Sequence, residues 1–116
     1  MLSDPLTVAR AAVEAAANKK AEDILLLDVQ QVTTMADYFM ICTAGTDRQV
    51  KAVLEGLEEE LRKEGVHPLH VEGEDGSGWV VADYGDLMCH VFKPQEREYY
   101  RLEELWENAK TLVRMQ

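Results

Sequence analysis

Two apolar runs in the first half of the chain most restrict what it can fold into. DILLLDV covers residues 23–29, and YFMICTA covers residues 38–44. Neither run alternates apolar with polar side chains, and both are too short for a core helix, so each predicts a strand covered on both faces. A strand of this kind lies inside a sheet that has other elements packed on its faces.

Sequence patterns typical of helices precede and follow these two runs. The first helix is predicted to begin after the capping residues Ser3 and Asp4 and to end near residue 20. A second is predicted from the cap residue Thr46 to the stop signal Gly65, with one apolar stripe between them. Apolar residues at helical spacing predict a third helix over residues 95–115, in one or two pieces.

Three shorter strands complete the predicted sheet. They cover residues 69–72, 79–83 and 88–93, and the EDGSG segment at 74–78 is a loop by composition. The order α-β-β-α-β-β-β-α predicts a single α/β (α+β) domain over residues 1–116, with a mixed sheet of about five strands flanked by helices. Because a helix separates the second strand from the third, these two strands are candidates for a parallel pair with a right-handed crossover.

Charge and cysteine content narrow the classes of function. The chain has 116 residues, a net charge of −10 and a pI near 4.6, which argues against binding a phosphate backbone or an anionic membrane. The same charge suits a basic protein partner, or it serves only solubility. Cys42 and Cys89 lie in apolar runs without a CxxC pair, so they are predicted to be buried free thiols in a reducing cytoplasm.

The segment WVVADYGDLMCHVFKP, residues 79–94, carries the strongest candidate site. Strand alternation predicts one face with the side chains of Trp79, Val81, Asp83, Met88, His90 and Phe92. If helices cover the other face better, these aromatic and aliphatic side chains form an apolar centre with an acidic rim, which is the anatomy of a protein interface. The alternative is that Trp79 belongs to the core and the DYGD segment is only a turn.

An enzyme is the competing interpretation. Gly45 and Thr46 open a helix after a strand, an arrangement that can hold a phosphate, but the Walker and GxGxxG patterns are absent. Nucleotidyltransferases add two metal-binding carboxylates on one strand, whereas Asp83 and Asp86 lie three residues apart across a turn and Asp28 is isolated. The histidines have no metal-ligand spacing. We therefore expect no catalytic residue, metal or cofactor, and keep a small nucleotidyltransferase-like enzyme as the alternative.

Three segments in order resemble the Iojap-like family, the ribosomal silencing factors called RsfS. They are ADYFMICTAGTDRQVKA, VEGEDGSGWVVADYGDLMCHVF and REYYRLEELW. The resemblance extends from the first helix to Trp106, and it leaves residues 107–116 as a variable tail without an assigned role. It implies a fold related to the nucleotidyltransferases but without their working active site.

The resemblance also implies a function. Members of the family bind the large ribosomal subunit through ribosomal protein number fourteen, block its association with the small subunit and lower translation when nutrients run short. The docking surface carries over onto Trp79, Asp83, Tyr84 and Asp86, with Val81 and Met88 as apolar neighbours. Because the N-terminus is not transit-like, a bacterial, cytoplasmic member is expected, and a homodimer is possible.

Overall fold

Four helices and six strands follow one another along the part of the chain that the structure describes. The structure, a computed structural model, describes residues 4–73 and 76–116. Its elements are α1 (Pro5–Asn18), β1 (Glu22–Asp28), β2 (Tyr38–Thr43), α2 (Asp47–Lys63), β3 (His70–Glu72), β4 (Trp79–Asp83), β5 (Leu87–Phe92), α3 (Pro94–Tyr100), α4 (Leu102–Leu105) and β6 (Lys110–Met115). The proposed cap at Ser3 and the first two residues of the EDGSG loop lie outside the described residues.

All six strands form one mixed sheet in the order β3-β4-β5-β2-β1-β6. The pair β2–β5 is parallel and the other four pairs are antiparallel. The predicted α+β class and mixed sheet are therefore confirmed, and the estimate of about five strands is one too low. The prediction that β2 and β3 form a parallel pair is wrong, because β5 takes the place beside β2.

The C-terminal segment differs most from the prediction. A helix was expected to continue to residue 115, but α4 ends at Leu105 and residues 110–115 form β6, which pairs antiparallel with β1. Thr111 and Val113 are β-branched and favour extended backbone, and β1 offers them a row of unpaired backbone groups. The C-terminal tail, which had no assigned role, thus forms an edge strand of the sheet.

Helices α1 and α2 cover one face of the sheet. The carboxylate of Asp4 accepts hydrogen bonds from the backbone N–H groups of Leu6 and Thr7, both at 3.1 Å, and so caps α1. Thr46 caps α2 in the same way, through a 3.1 Å bond from the N–H of Gln49. Between these helices and the sheet lies the larger apolar core, which includes both cysteines. No helix among the described residues has the length and apolar character needed to cross a membrane.

The opposite face of the sheet carries a second, smaller core. The buried side chains of Leu25, Leu27, Phe39, Ile41 and Phe92 belong to it, and Leu102 of α4 packs onto them. Arg97 attaches α3 to this face of the sheet, because its guanidinium donates hydrogen bonds at 2.9 Å both to the Thr43 hydroxyl and to the Asp23 carbonyl. The cover is partial: side chains of β4 and β5 near the β3 edge stay half-exposed on this face.

Candidate docking site on the open face of the sheet

The acidic turn between β4 and β5 has a defined local geometry. The Asp83 carboxylate accepts a 2.8 Å hydrogen bond from the N–H of Gly85, and the N–H of Tyr84 donates to the Leu87 carbonyl at 2.8 Å. Gly85 has φ +90°, a conformation that a residue with a Cβ rarely adopts. The turn therefore holds Asp83 and Asp86 close to the end of the hairpin.

Register on the hairpin brings four of the predicted site residues to one face. Trp79 lies opposite Phe92, Val81 opposite His90, and Asp83 opposite Met88. Opposed residues of an antiparallel pair point to the same side of the sheet. The side chains of Trp79, Val81, Asp83 and Met88 are all half-buried, and this is the face opposite α1 and α2. We call these four residues the open-face patch.

The indole of Trp79 contacts two aromatic rings. It stacks on Phe92 with a centroid distance of 5.0 Å and lies 4.8 Å from the ring of Tyr100. Tyr100, at the end of α3, is 46% exposed and extends the open-face patch. The sequence interpretation did not include Tyr100, because its place depends on how α3 packs; the adjacent pair Tyr99 and Tyr100 was the available signal.

His90 lies beneath the patch. The Trp79 Nε1–H donates to His90 Nδ1 at 3.3 Å, and the imidazole makes an edge contact with Phe39 at 4.8 Å. Only 5% of His90 is exposed, and this burial lowers its pKa to about 4, so the ring is neutral at pH 7. The patch thus has an uncharged polar residue under its largest side chain.

Two other predicted site residues lie elsewhere. Tyr84 is 8% exposed and packs in the core on the helix side, where burial raises the pKa of its phenol. Its side chain therefore does not join the open-face patch. Asp86 is exposed in the turn, and its carbonyl accepts backbone hydrogen bonds from Asp37 at 2.9 Å and Tyr38 at 3.0 Å. The turn is thereby fixed to the start of β2.

Several carboxylates gather at this end of the sheet. Asp28 pairs in register with Tyr38, and Asp37 precedes it, so both lie at the end where Asp86 contacts the chain. Burial raises the pKa of the Tyr38 phenol, and the negative charges of Asp28 and Asp37 raise it further. The acidic character of the turn therefore extends along the end of the sheet.

The residues of the alternative enzyme site are far apart. Gly45 and Thr46 follow the C-terminal end of β2, whereas Asp83 and Asp86 lie beside its N-terminal end. A six-residue strand separates these ends by roughly 16 Å. In addition, the N–H of Gly45 already donates to Gln49 Oε1 at 2.7 Å. These four residues cannot act on one phosphate group.

The arrangement of the side chains gives little support for metal binding or for thiol chemistry. Within residues 4–73 and 76–116, no group of three His, Cys, Asp or Glu side chains is placed to hold a metal ion. His70 is exposed beside Glu72, with 2.9 Å between Nε2 and Oε1. Cys42 and Cys89 are buried free thiols, as predicted, and burial raises the pKa of Cys42 to about 12 and that of Cys89 well above its usual value.

The fold and the patch define a class of protein: a small α+β domain with a mixed six-stranded sheet, one face covered by helices and the other partly open. A profile of the family described as "Ribosomal silencing factor during starvation" matches residues 3–116. The chain is 40% identical over 103 residues to the ribosomal silencing factor RsfS of Bacillus subtilis, an alignment that covers 89% of this chain and 87% of that protein.

Two solved structures agree with this match. A crystal structure from Chromobacterium violaceum has a TM-score of 0.86 at 32% identity and covers 90% of this chain and 88% of that one. Another, from Bacillus halodurans, has a TM-score of 0.80 at 33% identity and covers 93% and 98%. The chain belongs to the RsfS family of ribosomal silencing factors, and the resemblance seen in the sequence is confirmed.

Proposed function

We propose that this protein is a bacterial, cytoplasmic translation repressor that binds the large ribosomal subunit through ribosomal protein number fourteen. Bound there, it blocks association with the small subunit when nutrients are limiting. It acts by binding and not by catalysis. The observation that carries the proposal is the half-exposed aromatic patch beside an acidic turn, in a chain that belongs to the ribosomal silencing factors.

The apolar part of the patch suits an anchoring contact. Trp79 is half-exposed and already ordered by its ring contacts and by its hydrogen bond to His90, so it loses little side-chain freedom when a partner covers it. Ordered Trp and Tyr side chains are typical of the few residues that carry most of the binding energy in protein interfaces. Val81 and Met88 supply apolar surface around this centre.

The acidic turn beside the patch suits a basic partner. Asp83 and Asp86 lie at the end of the hairpin, and Asp28 and Asp37 add negative charge nearby. Carboxylates at the rim of an interface attract Lys and Arg of the partner and increase the association rate. The net charge of −10 also disfavours contact with ribosomal RNA, which limits binding at other places on the ribosome.

The block itself is steric. The domain measures about 36 × 31 × 24 Å, and only one part of one face is needed for docking. The remaining bulk, including the acidic helix α2, then occupies space that the small subunit needs. No conformational change of either partner is required.

Co-sedimentation with purified large and small subunits tests the proposal. Wild-type protein should pellet with large subunits only, and Trp79→Ala and Asp83→Lys/Asp86→Lys should each lose most of this binding. Two matched controls should bind normally. Met115→Ala removes a 41% exposed side chain from β6 at the opposite edge of the sheet, and Glu55→Lys/Glu59→Lys reverses two exposed charges on α2.

Two outcomes would contradict the proposal. Binding to neither subunit would remove the ribosomal function, and equal binding by wild type and both patch variants would place the docking site elsewhere. A subunit-joining assay completes the test, because wild-type protein should reduce formation of complete ribosomes and Trp79→Ala should not.

Self-association is a competing use of the same half-exposed surface. Sedimentation velocity at increasing concentration measures it directly. If Trp79→Ala converts a dimer into a monomer and leaves subunit binding unchanged, the patch is a dimer interface and not the ribosomal anchor.

A further inference from the structure

We infer that His90 is a positioning residue of the docking surface: its Nδ1 holds the indole of Trp79 in the orientation that is presented to the partner. The inference rests on the proposed function, because it assigns a role within the same patch. It concerns a residue that would not touch the partner, since only 5% of His90 is exposed.

The hydrogen bond between the two side chains fixes the imidazole tautomer. An indole N–H can only donate, so His90 Nδ1 must be the acceptor at 3.3 Å. A neutral imidazole carries one proton, which is therefore on Nε2. Nε2 is fully buried and has no hydrogen-bond partner among the residues that the structure describes.

This arrangement is costly for the folded protein. A buried N–H without a partner loses its hydration and gains nothing in return. An apolar side chain such as leucine would fill a similar volume beside Phe39 without that penalty. What histidine supplies and leucine does not is an acceptor directed at Trp79, so the benefit of His90 is expected in the orientation of Trp79.

Aromatic stacking alone does not select that orientation. The χ2 torsion of an aromatic residue is broad, and ring contacts such as those with Phe92 and Tyr100 do not bind the indole N–H. The bond to His90 turns the polar edge of the indole towards the sheet. The half-exposed part of Trp79 is then its apolar part, which suits contact with an apolar surface of the partner.

The test compares His90→Leu, His90→Asn and Trp79→Ala, each measured for large-subunit affinity and for stability to urea. His90→Leu removes the acceptor and the buried unpaired N–H together. We expect its free energy of unfolding at pH 7 to equal or exceed that of wild type, while its affinity falls about fivefold or more, as for loss of one well-placed interface contact. His90→Asn places an amide oxygen near the position of Nδ1 and should recover most of the affinity.

The indole N–H resonance of Trp79 provides a direct readout of the contact. A ¹⁵N-labelled sample should show it shifted in His90→Leu and close to the wild-type position in His90→Asn. Trp106→Phe identifies which of the two indole signals belongs to Trp79. An unshifted signal in His90→Leu would contradict the inference.

The remaining outcomes separate this inference from the proposed function. If Trp79→Ala weakens binding and His90→Leu does not, the function stands and the positioning role is wrong. If His90→Leu loses stability and affinity together and His90→Asn restores neither, His90 is only a packing residue. If wild-type protein does not bind large subunits, the proposed function fails first, and the positioning role fails with it.

Discussion

His90 is a buried side chain that links the proposed docking surface to the stability of the fold. Its imidazole supports Trp79 and has a pKa near 4 because burial disfavours the charged form. In the unfolded chain the same group has an ordinary pKa of about 6.5. The unfolded state therefore binds more protons between these two values, and stability decreases as pH falls through that window.

This difference leads to a prediction for acid stability. At pH 5 an unfolded His90 is mostly protonated and the folded one is mostly neutral, which costs the folded state about 2 kcal/mol relative to pH 7. Urea unfolding at both pH values should show this loss in wild type and not in His90→Leu. Other titrating groups are common to both proteins and cancel in the comparison. The same pH dependence in both proteins would show that His90 is not buried as described.

A single glycine sets the geometry of the acidic turn. Gly85 has φ +90°, and an alanine there would be strained although its Cβ would meet only Leu69 Cδ1, at 3.5 Å. Gly85→Ala should lower the free energy of unfolding by about 1–2 kcal/mol. Gly45→Ala is the control, because Gly45 is not among the residues with positive φ and its Cβ would lie at an ordinary 3.6 Å from Gln49 Oε1.

The two glycine variants are compared by thermal and urea unfolding under the same conditions. Gly45→Ala should change stability by less than about 0.5 kcal/mol. If Gly85→Ala proves equally mild, the turn can adopt another conformation and does not fix Asp83 and Asp86.

Strand alternation predicts the face of each side chain on β4. Period-two alternation correctly grouped Trp79, Val81 and Asp83, because β4 is an uninterrupted strand. Tyr84 continues the alternation of Val80 and Ala82, and its side chain lies with theirs in the core on the helix side. It was expected on the docking surface from the family resemblance and not from strand alternation. Tyr100 was missed because nothing local shows which ring a side chain from α3 will meet.

Among the elements, the C-terminal segment shows the limit of periodicity. Leu102, Leu105, Trp106, Ala109 and Leu112 recur at helical spacing, yet the chain leaves the helical path at Arg101, which has φ +46°. After α4 the chain forms a strand and not a helix, because pairing with the free edge of β1 satisfies the backbone groups along β6. The pairing of β2 with β5 also depends on non-local contacts, because the composition of a strand does not show which strand it will pair with.

Arg97 joins α3 to the sheet, and we therefore expect its removal to lower the stability of the protein. Its side chain is 11% exposed and its guanidinium contacts Asp23, Thr43 and Glu103, so removal leaves several polar groups without their partner. Arg97→Ala should destabilise the protein by about 2–3 kcal/mol. Arg97→Lys should recover little, because an ammonium cannot reproduce the planar donor geometry.

Arg101→Ala is the matched control for Arg97. Its side chain is 61% exposed, lies 3.9 Å from Glu104 and donates to the Glu98 carbonyl at 3.2 Å in an exposed position, so its loss should cost less than about 1 kcal/mol. Urea unfolding measures the stabilities, and amide hydrogen exchange over residues 94–106 reports the attachment of α3 and α4. Normal protection of this segment in Arg97→Ala would show that apolar packing alone holds it.

At the scale of the whole molecule, the excess of acidic residues governs how the protein approaches a ribosome. With 22 Asp and Glu against 12 Lys and Arg, the protein is expected to be repelled by RNA and attracted by basic proteins. In the proposed docking, the acidic turn supplies a long-range attraction and Trp79 of the open-face patch supplies a short-range apolar contact. These two contributions respond differently to salt, because added ions screen charges across about 10 Å at 0.1 M and hardly affect apolar burial.

Salt titration of subunit binding separates the two contributions. Between 50 and 300 mM salt, wild-type affinity should fall, and Trp79→Ala should bind more weakly at every salt concentration with an unchanged slope. Asp83→Asn/Asp86→Asn should bind about three- to tenfold more weakly at low salt and approach wild type at high salt, because only the screened contribution is lost. The Asn side chain at position 83 can still accept a hydrogen bond from the Gly85 N–H, so the turn is preserved.

Glu55→Gln/Glu59→Gln removes the same amount of charge from α2 and should leave the slope close to wild type. If it lowers the slope as much as the turn variant does, net charge and not the acidic turn controls the encounter.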